Sequence, residues 1–159
     1  MKALITYYPY KGRTDRVAAV SADLLRAKGE VELQELKPSD DIKDFFGQRM
    51  AALGRKRSRL GRDVKLDASH YDLMVIISPL WAFRPVPAIN AFLDKVNGLH
   101  GKRVAAFLTS ASCIGAAGSF RNIRHVLESK GASTIDELYI PYNKNNKGDS
   151  ITSLVKDLL

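Results

Sequence analysis

Residues 9–14 combine two cations, a glycine and a hydroxyl at the point where a short apolar segment gives way to a helical pattern. Lys11 and Arg13 supply the positive charge. A helix N-terminus presents free backbone N–H groups and the positive end of its dipole, and open parallel sheets bind ligands at the carboxyl ends of their strands. The pattern therefore predicts a phosphate site. The alternative is an ordinary strand-to-helix turn in which Thr14 caps the helix and both cations are solvated.

The elements that would position this turn follow from hydrophobic spacing. Three short apolar runs predict buried strands, an alternating run predicts a half-exposed edge strand, and a fifth strand comes near the end of the chain. The five predicted strands cover residues 2–8, 30–36, 73–77, 103–109 and 134–140. Helical spacing follows each of them. Such alternation predicts a parallel sheet with helices on both faces.

The segment between the second and third strands, residues 37–70, is too long for a simple connection and must hold the second helix. The apolar face of that helix would consist of Ile42, Phe45, Phe46, Met50 and Leu53. The most basic segment of the chain follows it, and its cations are Arg55, Lys56, Arg57, Arg59 and Arg62. A solvated surface is the ordinary interpretation of such a segment, and a docking site for an acidic partner is the functional one.

Two segments resemble the flavodoxin family. Residues 7–18 are similar to the family's opening loop, (S/T)-x-(S/T)-G-x-T, with Gly12 and Thr14 matching and Pro9 and Lys11 at the two earlier hydroxyl positions. Residues 78–88 are similar to its S-P-x-W-x-x-x-P-A segment. The resemblance implies an α/β, flavodoxin-like, doubly wound five-stranded parallel sheet in the order 2-1-3-4-5. We expect a single domain over residues 1–159.

The same resemblance implies flavin mononucleotide (FMN) as cofactor. Its phosphate would lie on residues 11–14, where Gly12 allows a close approach and Thr14 donates its hydroxyl. Its ring would lie between residues 79–84 and residues 110–115. The predicted cofactor-binding residues are Pro9, Tyr10, Lys11, Gly12, Arg13, Thr14, Pro79, Leu80, Trp81, Ala82, Phe83, Arg84, Ser110, Ala111, Ser112, Cys113 and Gly115.

Aromatic contact with the ring would come from Trp81 or Phe83. The alternative for Trp81 is burial beneath the helix that Pro87 begins. The third loop, residues 109–119, is rich in small residues, which allow a ligand to approach the backbone. Cys113 is not the nucleophile of a phosphatase-type Cys-x5-Arg loop, because Ser119 stands where the arginine is required. We predict that Cys113 lines the site or is buried.

The flavin would carry the redox chemistry, so the prediction requires no catalytic side chain and no metal. Electron transfer and NAD(P)H-dependent reduction both remain open, with an acidic redox protein or NAD(P)H as partner. The alternative function is a flavin-free binding module that uses residues 55–62 to hold an acidic partner or nucleic acid. We favour the flavin and do not expect a nucleic acid partner, although the net charge of +8 attracts anions generally.

Composition excludes several other classes. A single cysteine allows no internal disulfide, and the first residues form a strand pattern instead of a signal sequence, so we expect a cytoplasmic protein. No apolar run approaches the roughly 20 residues that cross a bilayer. The G-x-G-x-x-G and G-x-x-x-x-G-K-[ST] motifs are absent from the sequence. His70, His100 and His125 lack the spacing of metal ligands.

Overall fold

The described elements alternate between strands and helices along the chain. The structure is a computed structural model that describes residues 1–37, 57–142 and 148–159. Its strands are β1 (Lys2–Tyr7), β2 (Glu30–Glu35), β3 (Leu73–Trp81), β4 (Arg84–Pro85), β5 (Arg103–Ser110) and β6 (Thr134–Pro141). Its helices are α1 (Arg13–Arg26), α2 (Pro87–Lys95), α3 (Ala116–Ser129) and α4 (Gly148–Lys156).

The main sheet has the strand order β2-β1-β3-β5-β6, and all of its neighbouring strands are parallel. The predicted five-stranded parallel sheet is confirmed in this order, counting main-sheet strands along the chain. One element was not predicted: the two-residue strand β4 pairs antiparallel with the end of β3. This short hairpin lies at the carboxyl edge of the sheet, where the site was expected.

The register brings the carboxyl ends of the central strands together. Tyr7 of β1 pairs with Ile77 of β3, and Pro79 of β3 pairs with Thr109 of β5. The loops that follow these three strands therefore start side by side. Convergence of the three predicted binding segments is a direct consequence of parallel pairing.

Both faces of the sheet are buried, so alternate residues of each central strand belong to different cores. Leu4 and Ile76 pack with Phe92 of α2 on one face. Ile5 and Val75 pack against helices α1 and α4 on the other face, and Ile151 is one of the α4 residues in this core. This two-sided packing accounts for the nearly continuous apolar runs in the sequence.

The predicted second helix and the cations Arg55 and Lys56 fall in residues 38–56, which lie outside the described part of the chain. Of the predicted basic segment, the structure describes Arg57, Arg59 and Arg62. Within residues 1–37, 57–142 and 148–159, every helix is too short or too polar to cross a membrane.

Candidate functional site

The first loop is held from inside by Thr14. Its side chain is completely buried, its hydroxyl donates to the carbonyl oxygen of Tyr8 at 2.6 Å, and the same oxygen accepts from the Tyr10 N–H at 2.9 Å. The N-cap of α1 is Gly12, without a side-chain cap. The prediction that Thr14 caps the helix is therefore wrong, and its predicted contact with a phosphate stays a prediction. Thr14 shapes the loop instead.

Two consecutive left-handed residues turn the first loop outward. Lys11 has φ 51° and Gly12 has φ 69°, and the Arg13 N–H donates to the Tyr10 carbonyl at 3.0 Å to close the turn. A lysine rarely adopts this conformation. Left-handed residues cluster at ligand sites, where the surrounding structure offsets their strain. Lys11, Gly12 and Arg13 are all exposed here.

An aromatic group holds Arg13 in place. Its guanidinium carbon lies 4.1 Å from the ring centroid of Tyr142, and the Tyr10 ring stacks beside Tyr142 with centroids 6.5 Å apart and an interplanar angle of 25°. The Tyr142 hydroxyl lies 2.9 Å from Oγ1 of Thr109. Burial raises the pKa of Tyr142 to about 12, against smaller lowering effects of Thr109 and Arg13. Tyr142 therefore stays neutral at physiological pH.

Trp81 is nearly enclosed, with 7% of its surface exposed. Its ring meets Tyr8 edge-on at 5.4 Å and Tyr10 at 5.6 Å between centroids. Its indole Nε1 is buried and has no hydrogen-bond partner among the described residues. A buried orphan donor is costly, and it can be satisfied by a ligand. The exposed aromatic ring of this loop is Phe83, with 52% of its surface accessible.

The tip of the β3–β4 hairpin is a two-residue turn of two left-handed residues, Ala82 at φ 46° and Phe83 at φ 66°. Such turns usually contain glycine or asparagine. Here helix α3 enforces the conformation from outside. The Ser119 hydroxyl donates to the Phe83 carbonyl at 3.1 Å, and a Cβ placed on Gly115 would lie 2.3 Å from Cβ of Phe83.

The third loop follows β5 and is shaped by its serines. The Ser110 hydroxyl donates to the Ser112 carbonyl at 2.5 Å, and the Ser112 hydroxyl accepts from the Ile114 N–H at 3.2 Å. Ile114 is 62% exposed. Cys113 is exposed as well, which corrects the prediction of burial, and its predicted place in the lining of the site stays a prediction.

The three loops enclose a cavity of about 280 Å³, which we call the loop cavity. It is lined by Tyr10, Arg13, Leu80, Trp81, Ala82, Phe83, Ser110, Ala111, Ser112, Ile114 and Tyr142. Phe83 and Ile114 are two of the few large apolar side chains that are exposed in the described residues. Exposed apolar groups around a cavity are typical of a site for an apolar ligand surface.

Two further cavities adjoin the loop cavity. The helix cavity, of about 290 Å³, is lined by Lys11, Gly12, Arg13, Arg16, Val17, Thr109, Ile140, Pro141, Tyr142 and Ile151. The hairpin cavity, of about 320 Å³, is lined by Arg57, Ala82, Phe83, Arg84, Pro85, Asn90, Gly115, Gly118, Ser119 and Asn122. In the part of the chain that the structure describes, all three linings contain arginine and none contains a carboxylate. All three therefore favour anions.

Most of the predicted site residues thus lie together. Nine line the loop cavity, namely Tyr10, Arg13, Leu80, Trp81, Ala82, Phe83, Ser110, Ala111 and Ser112. Lys11 and Gly12 line the helix cavity, and Arg84 and Gly115 line the hairpin cavity.

The remaining four predicted residues, Pro9, Thr14, Pro79 and Cys113, line none of these three described cavities. The sequence prediction missed Ile114, Arg16 and Tyr142. Tyr142 could have been found from its position just after the last strand of a parallel sheet.

Comparison with known proteins gives a likeness in structure. No family model matches the chain, and no curated protein matches its sequence. The structure is similar to a flavoprotein in complex with FMN from Lactobacillus acidophilus, with 25% identity and a TM-score of 0.65 over 86% of this chain and 92% of that one. It is also similar to an archaeal flavodoxin, with 18% identity and a TM-score of 0.65 over 99% of this chain and 95% of that one.

A provisionally assigned flavoprotein from Bacteroides uniformis is 20% identical, with a TM-score of 0.75 over 98% of this chain and 97% of that one. The chain therefore has the flavodoxin-like fold, and the resemblance predicted from its two loop motifs is confirmed at the level of the fold.

Proposed function

We propose that this chain is an FMN-binding redox protein whose flavin ring lies in the loop cavity. One observation carries the proposal: the loops after β1, β3 and β5 converge on a cavity with exposed apolar residues at its rim and an arginine in its lining. A flavin mononucleotide has these two parts, a flat and largely apolar ring and a phosphate dianion. The similar protein from Lactobacillus acidophilus is described in complex with FMN.

The described residues fit such a ligand in several ways. Phe83 and Ile114 offer apolar surface to a ring, and the unpartnered Nε1 of Trp81 offers a buried donor. Arg13 lines both the loop cavity and the helix cavity, so a phosphate at the start of α1 would lie beside its guanidinium in either. Arginine suits a phosphate because its planar donors bind two oxygens at once.

When bound, FMN would supply the redox chemistry, and the protein would bind it, orient it and set its electrostatic surroundings. Burial raises the pKa of Tyr142 to about 12, so its hydroxyl stays protonated beside the ligand. The lining cations would favour a negatively charged ligand over a neutral one. We expect a cytoplasmic, single-domain protein that acts as an electron carrier or as an oxidoreductase that uses NAD(P)H. An acidic redox protein is the partner expected for the carrier.

The test is a titration with FMN and riboflavin, which lacks the phosphate. Trp81 is the single tryptophan, so its fluorescence reports on the loop cavity alone. We expect quenching by both ligands, with FMN bound more tightly. Arg13→Gln should weaken FMN binding by about 1–2 kcal/mol, the cost of losing a charged hydrogen bond, and should leave riboflavin nearly unchanged.

Arg16→Gln is the matched control, because Arg16 lies on the same helix and lines only the helix cavity. Loss of FMN affinity in both variants would place the phosphate in the helix cavity, which both arginines line, and loss in neither would remove it from the start of α1. If neither flavin quenches Trp81 and the purified protein is colourless, the flavin-free binding module is the better proposal, and an acidic partner for Arg57, Arg59 and Arg62 becomes the question.

A further inference from the structure

The hairpin cavity lies on the far side of the Ala82–Phe83 turn from the loop cavity. Ala82 and Phe83 line both cavities, so the wall between them is one turn of backbone and the Phe83 side chain. This wall is fixed, because Ser119 bonds to the Phe83 carbonyl and Gly115 packs against its Cβ. A ligand in the hairpin cavity would lie next to one in the loop cavity.

The polar groups of the hairpin cavity suit an anion. Two guanidinium groups, those of Arg57 and Arg84, line it together with the side-chain amides of Asn90 and Asn122. Asp94 pairs with Arg57 from α2, with Oδ1 accepting from Nη2 at 3.3 Å, and thereby fixes its position. The Arg84 guanidinium makes no hydrogen bond or ion pair with the described residues. One arginine is thus held in place and the other is available.

The side-chain amides of Asn90 and Asn122 contribute the uncharged polar groups of the hairpin cavity. Asn90 is 6% exposed, and its Nδ2 donates to the Pro85 carbonyl at 3.0 Å, which fixes the side chain against the hairpin. Asn122 is exposed on α3. Gly118, whose Cβ position meets only a side-chain nitrogen of Arg121 at 3.9 Å, leaves the first turn of this 14-residue helix open, so a ligand can approach the positive end of its dipole.

We propose that the hairpin cavity binds the phosphate-bearing half of a nicotinamide dinucleotide, with the nicotinamide half directed over Phe83 toward the loop cavity. This inference rests on the proposed function, because the loop cavity must hold the flavin. The cavity is concave and about 320 Å³ in volume, which lies within the range of small-molecule sites, about 300–1,000 Å³. Paired arginines with amides recognise phosphate and nucleotide groups, whereas an acidic protein would need a flatter and larger surface.

The test is calorimetric titration of the FMN-loaded protein with NADP⁺ and NAD⁺, the oxidised forms, so that binding is measured without electron transfer. We expect saturable binding of at least one of them. Arg84→Gln should weaken that binding at least about tenfold through loss of a charged hydrogen bond, and Asn122→Asp should weaken it similarly by placing a negative charge in the lining. Both residues tolerate change because they are not in the core.

Arg26→Gln is the charge-matched control. Arg26 lies at the far end of α1, where it pairs with Asp23, and its replacement should leave dinucleotide binding unchanged. FMN affinity, measured by Trp81 quenching, should be equal in the wild type, Asn122→Asp and Arg26→Gln. Equal dinucleotide affinity in the wild type and Arg84→Gln would overturn the proposal, as would absence of binding at millimolar dinucleotide and low salt.

Adenosine diphosphate and inorganic phosphate separate the two proposals when they are titrated into FMN-free protein. Binding of adenosine diphosphate that depends on Arg84 supports the hairpin site even if FMN binding fails. An adenosine diphosphate affinity no greater than that of inorganic phosphate would overturn it, because the site would then recognise charge and not a nucleotide.

Discussion

Charge is used in opposite ways at the open edge of β2 and at the carboxyl edge of the sheet. On β2, Glu32 pairs with Lys2 at 3.2 Å and with Lys65, and it accepts a hydrogen bond from the Tyr71 hydroxyl at 2.7 Å. Hydrogen bonds from Lys65 and then from Tyr71 lower the pKa of Glu32 to about 2. At the carboxyl edge, Lys11, Arg13, Arg16, Arg57 and Arg84 line cavities whose described walls include no carboxylate.

The difference separates charges that stabilise the fold from charges that can bind a ligand. Around Glu32 each cation is neutralised by a carboxylate of the same chain, so the cluster has little attraction left for an outside ion. At the carboxyl edge Arg57 pairs with the carboxylate of Asp94, whereas the other lining cations have no carboxylate partner among the described residues, so an anionic ligand or the solvent must neutralise them. Variants at the carboxyl edge should therefore alter binding, and variants of the Glu32 cluster should alter stability alone.

The largest effect should come from Gly115→Ala, which breaks the wall that the cavities share. Gly115 has φ 84°, and a Cβ there would lie 2.3 Å from Cβ and 2.5 Å from the carbonyl oxygen of Phe83. The Ala82–Phe83 turn must move. We expect the free energy of unfolding to fall by about 1–3 kcal/mol through backbone strain and FMN affinity to fall at least about tenfold. Urea unfolding and Trp81 quenching measure the two.

Gly118→Ala is its control on the same helix. A Cβ on Gly118 meets only a side-chain nitrogen of Arg121 at 3.9 Å, so the variant should keep FMN affinity and gain up to about 1 kcal/mol of stability from helix propensity. Equal FMN affinities in Gly115→Ala and Gly118→Ala would show that the turn does not shape the site.

Removal of the exposed ring of Phe83 should have the next largest effect. Phe83→Ala should weaken FMN and riboflavin alike by about 1–2 kcal/mol, because the lost contact is with the shared ring and not with the phosphate. Leu33→Ala is the matched control, since Leu33 is another exposed large apolar residue, on β2, away from the cavities. Fluorescence titration of the two variants with both ligands measures the difference. A loss specific to FMN would contradict the placement of the ring beside Phe83.

The sequence predicted the sheet and the meeting of three loops because both follow from local signals. Apolar runs mark the strands, helical spacing marks the crossovers, and parallel pairing then brings the strand ends together. Tyr142 was missed because it enters the site through the pairing of β5 with β6, which sets Ser110 opposite Pro141. That register is a long-range property, so the signal left in the sequence was the position of Tyr142 just after the last strand.

The sequence pattern assigned Thr14 to the helix cap, whereas in the structure its hydroxyl holds the preceding loop. A threonine at the start of a helix usually caps it, but here its hydroxyl reaches back to Tyr8. The Ala82–Phe83 turn was equally hidden, because neither residue prefers the left-handed conformation and helix α3 enforces it. In the turn a contact between distant segments overrides the local preference, and at Thr14 a hydrogen bond within the same loop does so.

The smallest expected effect tests the structural half of the comparison. The pKa of Glu32 is lowered from 4.5 to about 2 in the folded chain, so its ion pairs stabilise the fold fully above about pH 4.5 and lose that contribution as the pH falls toward 2. Because Glu32 is partly exposed, Glu32→Gln should lower the free energy of unfolding by no more than about 1 kcal/mol at pH 7. The deficit should shrink as the pH falls from 4.5 toward 2, when the wild-type carboxyl also becomes neutral.

Urea unfolding at pH 7, 4 and 3 measures this deficit, with Glu30→Gln as a control, since Glu30 contacts Lys2 only at 3.8 Å. FMN affinity at pH 7 should equal that of the wild type, and a Glu32→Gln variant that lost FMN while keeping its stability would erase the distinction between the two edges of the sheet.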